Sequence, residues 1–462
     1  MNLKSHALRS PARLIKLARP LCLGLITALC GLLLGQTATA QITTETLIGD
    51  SVSEIGARYS DVDEAIKRFT NRDILGARQF LEAAKSKNPQ LPPTDITLAK
   101  MYFLAGNMPA GRASLEKAAM EHPGDPEPIL ILADQATNQS RTIEAEALYD
   151  KALPMAAAFD ENPKRKRNFE IRARTGRALV YERRKNWNAA VADLQALLKV
   201  DPDNAMAHYR LGTCLFMQNK ARDGYNSFVK ARELQKDLPN PYVAAALMYD
   251  RLGQASEAQQ AFDRAVAASK DDINTLNSYA QWLIKTGSVD KAESVLASAR
   301  QVNPESLDAL ILSGVAARMN KKMKPAEDYF LEAFRIAPSN GGVINQLALL
   351  LIDQPATEKR ERALQFAGIN AKLNPESSEA NISLAWVLYQ LGRASDANQA
   401  LRNGIQLGNL TPDSSYLVAK MLSEQNQADS AKQLLDGALQ ADSTAGIFIN
   451  RAEAQSLRQS LR

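Results

Sequence analysis

The chain has 462 residues, of which 45% are hydrophobic, and a formal net charge of +5. This length exceeds what one hydrophobic core normally supports, so the sequence contains either several domains or a repeated unit. The first forty residues hold five Lys or Arg and no acid, which leaves the remainder formally neutral. A neutral chain lacks the overall positive charge that drives nucleic-acid binding, so no nucleic-acid partner is expected.

Residues 1–40 have the pattern of a secretory signal peptide. Basic residues precede the uncharged run Leu21–Leu34, and Ala38-Thr39-Ala40 supplies small residues for cleavage before Gln41. An uncleaved membrane anchor is the alternative, although the apolar run is short for a spanning helix. We expect a protein exported to the periplasm or cell envelope of a bacterium, or secreted, with membrane association only if the signal is retained. Residues 41–57 are expected to form a linker.

A small residue returns eleven times downstream, and most steps are 34 residues long. A larger apolar residue usually follows four positions later and another small one seven positions later, so the three share one helix stripe. A second ladder of small residues runs twelve positions earlier, and prolines often stand twelve positions later. This period predicts stacked pairs of helices. The markers are Ala77, Gly111, Ala145, Ala190, Gly224, Ala258, Ala292, Ala326, Ala363, Ala397 and Ala431.

This order of small, bulky, small and proline positions resembles the tetratricopeptide repeat (TPR) family over residues 58–442. The resemblance implies an all-α fold, a right-handed α-solenoid (superhelix) of about eleven TPR helix-turn-helix repeats, with protein or peptide partners. Residues 443–462 carry spaced apolar residues amid Arg and Gln. They are expected to form a capping helix, because a repeat array needs a polar outer face at its end.

Two steps break the period, at 45 residues between Ala145 and Ala190 and 37 between Ala326 and Ala363. Extra residues in a solenoid normally form loops at the rim, so inserted loops are predicted at about 155–170 and 353–361. Basic residues cluster in and after the first insertion. They can be read as a solvated surface or as a site for an acidic partner or an anionic lipid surface. This candidate basic patch consists of Lys164, Arg165, Lys166, Arg167, Arg172, Arg183 and Arg184.

By the same resemblance, one face of each first helix lines a concave groove, which is the candidate partner-binding site. Packing between repeats is the alternative explanation for its apolar members, because a stripe at helical spacing usually belongs to the core. If several are exposed together, their patch is a recognition surface. The candidates are Phe103, Tyr209, Phe216, Ile284, Ile311, Arg318, Trp386, Tyr389 and Tyr416.

The sequence offers little that could support catalysis. After residue 40 it contains two histidines, His122 and His208, and one cysteine, Cys214, and it lacks GxSxG, HExxH and CxxC motifs. We therefore expect no catalytic residues, metal, cofactor or small-molecule substrate. The favoured function is an exported scaffold or adaptor in the assembly or tethering of a bacterial envelope complex. The alternatives are a non-catalytic regulatory arm of an envelope enzyme such as a glycosyltransferase, and a surface-associated adaptor for acidic partners.

Overall fold

The computed structural model describes residues 42–52, 59–440 and 446–461, so the predicted signal segment 1–40 lies outside the described residues. Within these ranges the secondary structure consists of 24 α-helices without strands. The first twelve are α1 (Thr44–Ile48), α2 (Ser60–Thr70), α3 (Ile74–Lys87), α4 (Thr94–Leu104), α5 (Met108–Glu121), α6 (Glu127–Asn138), α7 (Thr142–Ala158), α8 (Pro163–Arg183), α9 (Trp187–Val200), α10 (Ala205–Met217), α11 (Ala221–Leu234) and α12 (Pro241–Arg251). The remaining twelve are α13 (Ala255–Ala268), α14 (Ile273–Lys285), α15 (Val289–Val302), α16 (Leu307–Met319), α17 (Met323–Ile336), α18 (Gly341–Ile352), α19 (Thr357–Leu373), α20 (Ser378–Gln390), α21 (Ala394–Leu407), α22 (Pro412–Glu424), α23 (Ala428–Gln440) and α24 (Arg451–Ser460).

Helices α2 to α23 pack as eleven consecutive pairs, from α2 with α3 to α22 with α23. The short connections within each pair make its two helices antiparallel. The second helix of one pair also contacts the first helix of the next, which joins the pairs into an array. The predicted all-α array of about eleven helix-turn-helix repeats is confirmed. Among the described residues, no helix is both long and apolar enough to cross a membrane.

The turn inside a helix pair has the same backbone geometry in ten of the eleven pairs. One residue there has a positive φ, between 58° and 84°. Glycine, which adopts this conformation without strain, occupies four of these positions, whereas Arg72, Lys185 and Lys321 are among the six other residues. The packing of the flanking helices therefore imposes the turn even where the residue disfavours it.

Small residues lie where two helix backbones approach most closely. A Cβ atom on Gly212 would lie 2.8 Å from the carbonyl oxygen of Gly224, and one on Gly314 would lie 2.6 Å from the ring of Phe330. Phe330 itself is fully buried. The ladder of small residues thus leaves room for one large side chain per repeat, which fills the space between the helices at interior density.

The two insertions are helical, which corrects the loops predicted at 155–170 and 353–361. The first lengthens α7 to 17 residues and α8 to 21, and leaves only residues 159–162 between them. The second lengthens α19 to 17 residues after a connection at 353–356. A helix satisfies the backbone hydrogen bonds of added residues internally, whereas a loop needs water or side chains to do so. Asn162 caps α8, and Pro163 occupies the first turn, where its missing N–H costs nothing.

Both ends of the array differ from their simple predictions. The expected linker 41–57 contains α1, whose Leu47 and Ile48 are buried in a cluster with Tyr59. At the other end, α24 packs on α23 as a terminal helix, and residues 446–450 precede it without regular secondary structure. The first and last described segments are thus packed against the repeats.

Candidate functional site

Four of the nine predicted groove residues lie in the core. Phe216, Ile284, Trp386 and Tyr416 are between 1% and 7% exposed, and each packs within a cluster of buried side chains. They therefore stabilise contacts between repeats and do not present a free binding surface. A helical stripe of apolar residues cannot distinguish these two roles, because both require the same spacing.

The other five groove candidates keep part of their surface accessible. Phe103, Tyr209, Ile311, Arg318 and Tyr389 are half-buried, on first helices from α4 to α20. The hydroxyl of Tyr389 donates to Glu424 at 2.8 Å, and the Tyr209 ring lies 5.1 Å from that of Phe228. These side chains remain candidates for contact with a partner.

Leu247 is a groove residue that the sequence analysis missed. Its side chain lies on the first helix α12 and is 44% exposed. It stands one turn before Asp250, which accepts hydrogen bonds from Trp282 Nε1 at 2.9 Å and Lys285 Nζ at 2.7 Å on α14. The sequence signal for this residue was the spacing: an apolar residue stands three positions before a polar residue, so both lie on one side of the same first helix.

The basic patch is largely an internal set of ion pairs, and Arg165 is its centre. Arg165 is 1% exposed, and its Nη2 lies 2.6 Å from Asp125 Oδ2 and 2.7 Å from Glu127 Oε2. The rings of Phe159 and Phe169 flank the guanidinium at 5.0 and 4.9 Å. A buried cation with two carboxylates and two aromatic faces is a structural element of the fold.

Most other basic residues of the patch also have acidic or carbonyl partners. Arg172 pairs with Asp134, Arg184 with Glu146, and the exposed Arg167 with Asp201. Arg183 donates to the carbonyl oxygen of Thr137, and Lys166 is half-buried. Charge counting along the sequence overlooked these carboxylates, which neighbouring helices contribute and which pair with most of the patch. Lys164 and Arg167 stay exposed, and a surface for an acidic partner or an anionic lipid remains a prediction.

The same region holds the N-terminal segment by its main chain. Lys164 Nζ donates to the carbonyl oxygens of Gly49, at 2.7 Å, and Val52. Asn162 Nδ2 donates to Ser51 O at 2.9 Å. Because these bonds reach backbone carbonyls, they hold the segment independently of its side chains.

Glu127 gives this cluster a measurable pH dependence. Burial alone would raise the pKa of Glu127, but Lys100 and Arg165 outweigh burial and lower that pKa to about 2. A carboxyl whose pKa is lower in the folded than in the unfolded chain stabilises the fold above its unfolded pKa, and this contribution is lost as pH falls. Burial raises the pKa of the neighbouring Asp125, which offsets part of the effect.

We therefore predict that Glu127→Gln lowers the free energy of unfolding at pH 7 and that the difference from wild type shrinks between about pH 4.5 and 2. Urea unfolding of both proteins across this range measures the difference. Glu144→Gln, in an exposed pair with Arg141, is the control and should show little change at any pH. A constant difference for Glu127→Gln would mean that its charge does not contribute.

The surface formed by the first helices of the pairs, here called the first-helix face, holds a short irregular segment of the chain itself at its C-terminal part. Ile447 and Ile449 pack against the core cluster formed by α12 to α18, whereas Phe448, which is 8% exposed, belongs to the cluster formed by α18 to α23. Residues 447–449 therefore insert between two parts of the array.

Asp413, in the first turn of α22, binds this segment through its main chain. Its Oδ2 accepts the N–H of Ile449 at 3.0 Å, and its Oδ1 accepts the N–H of Asn450 at 2.9 Å and the side-chain amide of Asn450 at 2.6 Å. Burial raises the pKa of Asp413, and these hydrogen bonds and Arg318 oppose that shift. One half-buried carboxylate thus fixes the start of α24.

A cavity of about 830 Å³ adjoins the segment and extends along the first helices. Its lining includes Ile284 and Lys285 of α14, Arg318 of α16, and Phe448 and Glu453 of the C-terminal segment. The face therefore encloses a space between widely separated repeats and the end of the chain.

Polar side chains of four first helices converge below Ile449 and Asn450. Arg318 donates to Gln346 Oε1 at 2.8 Å, and burial lowers the pKa of its guanidinium. In the described part of the chain, the buried Asn345 Oδ1 and Ser383 Oγ have no hydrogen-bond partner. Unpaired buried oxygens carry an energetic cost that a suitable donor removes.

The described residues contain one cysteine, Cys214, and it is not reactive. Cys214 is fully buried, and burial raises the pKa of its thiol to about 12. The thiol is therefore protonated and a poor nucleophile. In the described ranges, no group of three or more His, Cys, Asp or Glu residues is placed to hold a metal ion.

Family models of the tetratricopeptide repeat match residues 175–224, 239–272 and 280–341. The matched residues are tetratricopeptide repeats. Each matched range falls within the array of helix pairs, and the flanking pairs repeat the same packing. Repeat arrays of this kind form extended concave surfaces that commonly bind other proteins.

Two proteins from Pseudomonas species are similar to part of the chain. Cellulose synthase operon protein C of Pseudomonas fluorescens is 24% identical over 201 residues, which cover 43% of this chain and 16% of that protein. TPR repeat-containing protein PA4667 of Pseudomonas aeruginosa is 26% identical over 212 residues, or 43% of this chain and 34% of that protein. The chain spans about a third or less of either relative.

Among solved structures, yeast Tom70 matches 87% of this chain and 95% of its own, with 16% identity and a TM-score of 0.39. YrrB, described as a TPR protein with an unusual peptide-binding site, matches 43% of this chain and 97% of its own, with 19% identity and a TM-score of 0.28.

Proposed function

We propose that this TPR protein is exported and uses its first-helix face to hold an extended segment of a partner, as a scaffold in the assembly or tethering of a bacterial envelope complex. One observation carries the proposal: the same face already holds residues 446–450 through backbone N–H groups and alternating apolar side chains. A surface that accepts one short chain segment has the shape and hydrogen-bonding groups to accept another.

Two further observations support the envelope part of the proposal. Residues 1–40 have the signal-peptide pattern, and one relative is named for a cellulose synthase operon. That name also favours a second candidate function, a non-catalytic arm of a polysaccharide-synthesising enzyme. The adaptor for acidic partners is less favoured, because most of the basic patch pairs internally.

The open part of the face, on α10 to α14, is where the partner is expected. Leu247 combines 44% exposure with a place beside the Asp250 bridge between α12 and α14. An exposed leucine, with half-buried Tyr209 on α10 and Gln281 on α14, offers apolar and polar groups on three first helices, and an interface combines both kinds of group.

Photocrosslinking in cells tests this function. A photoreactive amino acid at Leu247 should give a discrete protein adduct in the envelope fraction, whereas the same group at Met120, 83% exposed on the second helix α5, should not. Mass spectrometry of the adduct separates the candidates: a glycosyltransferase subunit supports the second function, and a non-enzymatic envelope protein supports the first. No specific adduct at Leu247, or the same adducts at both positions, contradicts the proposal.

A further inference from the structure

We infer that residues 446–450 are an internal ligand of the first-helix face, and that a partner segment with three consecutive bulky apolar residues competes for the same place. The inference rests on the proposed function only in taking that face as a binding surface for protein segments. It adds the chemistry of the partner and a competition between this partner and the end of the chain.

The reach of the segment exceeds what a terminal cap needs. A cap covers the last repeat, and α24 does this by packing on α23. Residues 446–450, however, face Ile284 of α14 and Arg318 of α16, which belong to the seventh and eighth helix pairs. The segment thus borders a cavity that it shares with repeats well before the last one.

The attachment is confined to a few groups. In α24, only Ala454 is fully buried, and Arg458 reaches Asp436 in an ion pair whose members are 35% and 44% exposed. A polar helix of ten residues is marginal by itself, and exposed ion pairs add little. The bonds to Asp413 and the three residues 447–449 therefore hold the segment, and such a small attachment can open without unfolding the repeats.

The contacts define what a competing partner must offer. Asp413 accepts main-chain N–H groups, which any non-proline residue provides. Selectivity comes from the apolar side chains. Ile447 and Ile449 pack against the α12 to α18 cluster, and Phe448 between them belongs to the α18 to α23 cluster. A partner with a hydrogen-bond donor that reaches Asn345 Oδ1 or Ser383 Oγ satisfies oxygens that the internal segment leaves unpaired.

A labelled peptide of residues 446–461 provides the test with purified full-length chain. Ile447→Asp combined with Ile449→Asp should release the internal segment, so the peptide is expected to bind this variant at least tenfold more tightly than wild type by fluorescence anisotropy. The internal segment competes at an effective concentration in the millimolar range, so the peptide is expected to bind wild type weakly. Adding Asp413→Ala should remove the gain. Arg458→Ala, in the same segment but outside the groove, is the matched control and should behave as wild type.

Hydrogen exchange of the wild-type chain gives a second measurement that requires no variant. The amides of Ile449 and Asn450 should exchange at least 100-fold faster than buried amides of α22, through a local opening. Equal peptide affinity for wild type and the double variant, or exchange of these amides only on global unfolding, overturns the inference. Neither result depends on the crosslink at Leu247, which reports on the other part of the face.

Discussion

Replacing Arg165 with methionine is expected to lower the free energy of unfolding by about 3–5 kcal/mol, because it leaves two buried carboxylates without their shared cation. Asp125 and Glu127 both lie within 2.7 Å of the guanidinium and are 3% and 2% exposed. Lys100 still pairs with Glu127, so Asp125 loses its charged partner outright. The loss should appear in urea unfolding followed by circular dichroism.

Arg167, two residues after Arg165, supplies the control. Arg167 is 56% exposed in its pair with Asp201, and exposed pairs contribute about 0–1 kcal/mol, so Arg167→Met should change stability by no more than this. If the two variants lose the same stability, Arg165 is a solvated surface residue and the internal role assigned to the basic patch is wrong.

Phe330→Ala is expected to cost about 3–5 kcal/mol, because a fully buried aromatic side chain leaves a cavity that rigid helices cannot fill. The ring faces Gly314 on α16, which has no side chain to move into the space. Each repeat contacts mainly its neighbours, so hydrogen exchange should localise the loss of protection to α16, α17 and the adjacent helices.

Phe334, one turn further along α17, is the matched control for this prediction. It is half-buried and meets Phe366 edge to face at 5.4 Å, so its replacement by alanine removes less buried surface and should cost clearly less. Equal losses at the two positions would mean that the ladder of small residues is out of phase with the packing in this repeat.

The helical array was predictable because every repeat is subject to the same packing constraint, a small residue where two helices meet. Glycine or alanine at Gly212, Gly224 and equivalent positions is needed wherever two backbones meet, and the 34-residue step makes the need visible. The form of the insertions was not predictable in this way. Whether extra residues loop out or lengthen α7 and α8 depends on their capping by Asn162 and on the neighbouring helix, and the period contains no information about either.

The candidate site was only partly predictable for a related reason. Trp386 and Tyr389 stand on the same helix three residues apart, but one is 3% exposed and the other half-buried. Which of the two side chains is covered depends on how the next repeat packs against α20. The acids around Arg165 come from 38 and 40 residues earlier, and the seat of residues 446–450 combines helices from α14 to α22. Contacts of this range follow from the stacking of repeats and leave no local pattern.

The bonds between α8 and the N-terminal segment also set an order of events during folding. They join residues 111 to 118 positions apart, whereas contacts within a helix pair need only one repeat to be present. Closing so long a loop is entropically costly until the intervening repeats are formed. Asn168 Nδ2 is the last of these donors, and it reaches the carbonyl oxygen of Asp50. A chain that emerges N-terminus first therefore leaves the carbonyls of residues 49–52 without these donors until residue 168 has followed. Closure of this segment marks the moment at which the first three helix pairs and α8 have assembled in the correct register.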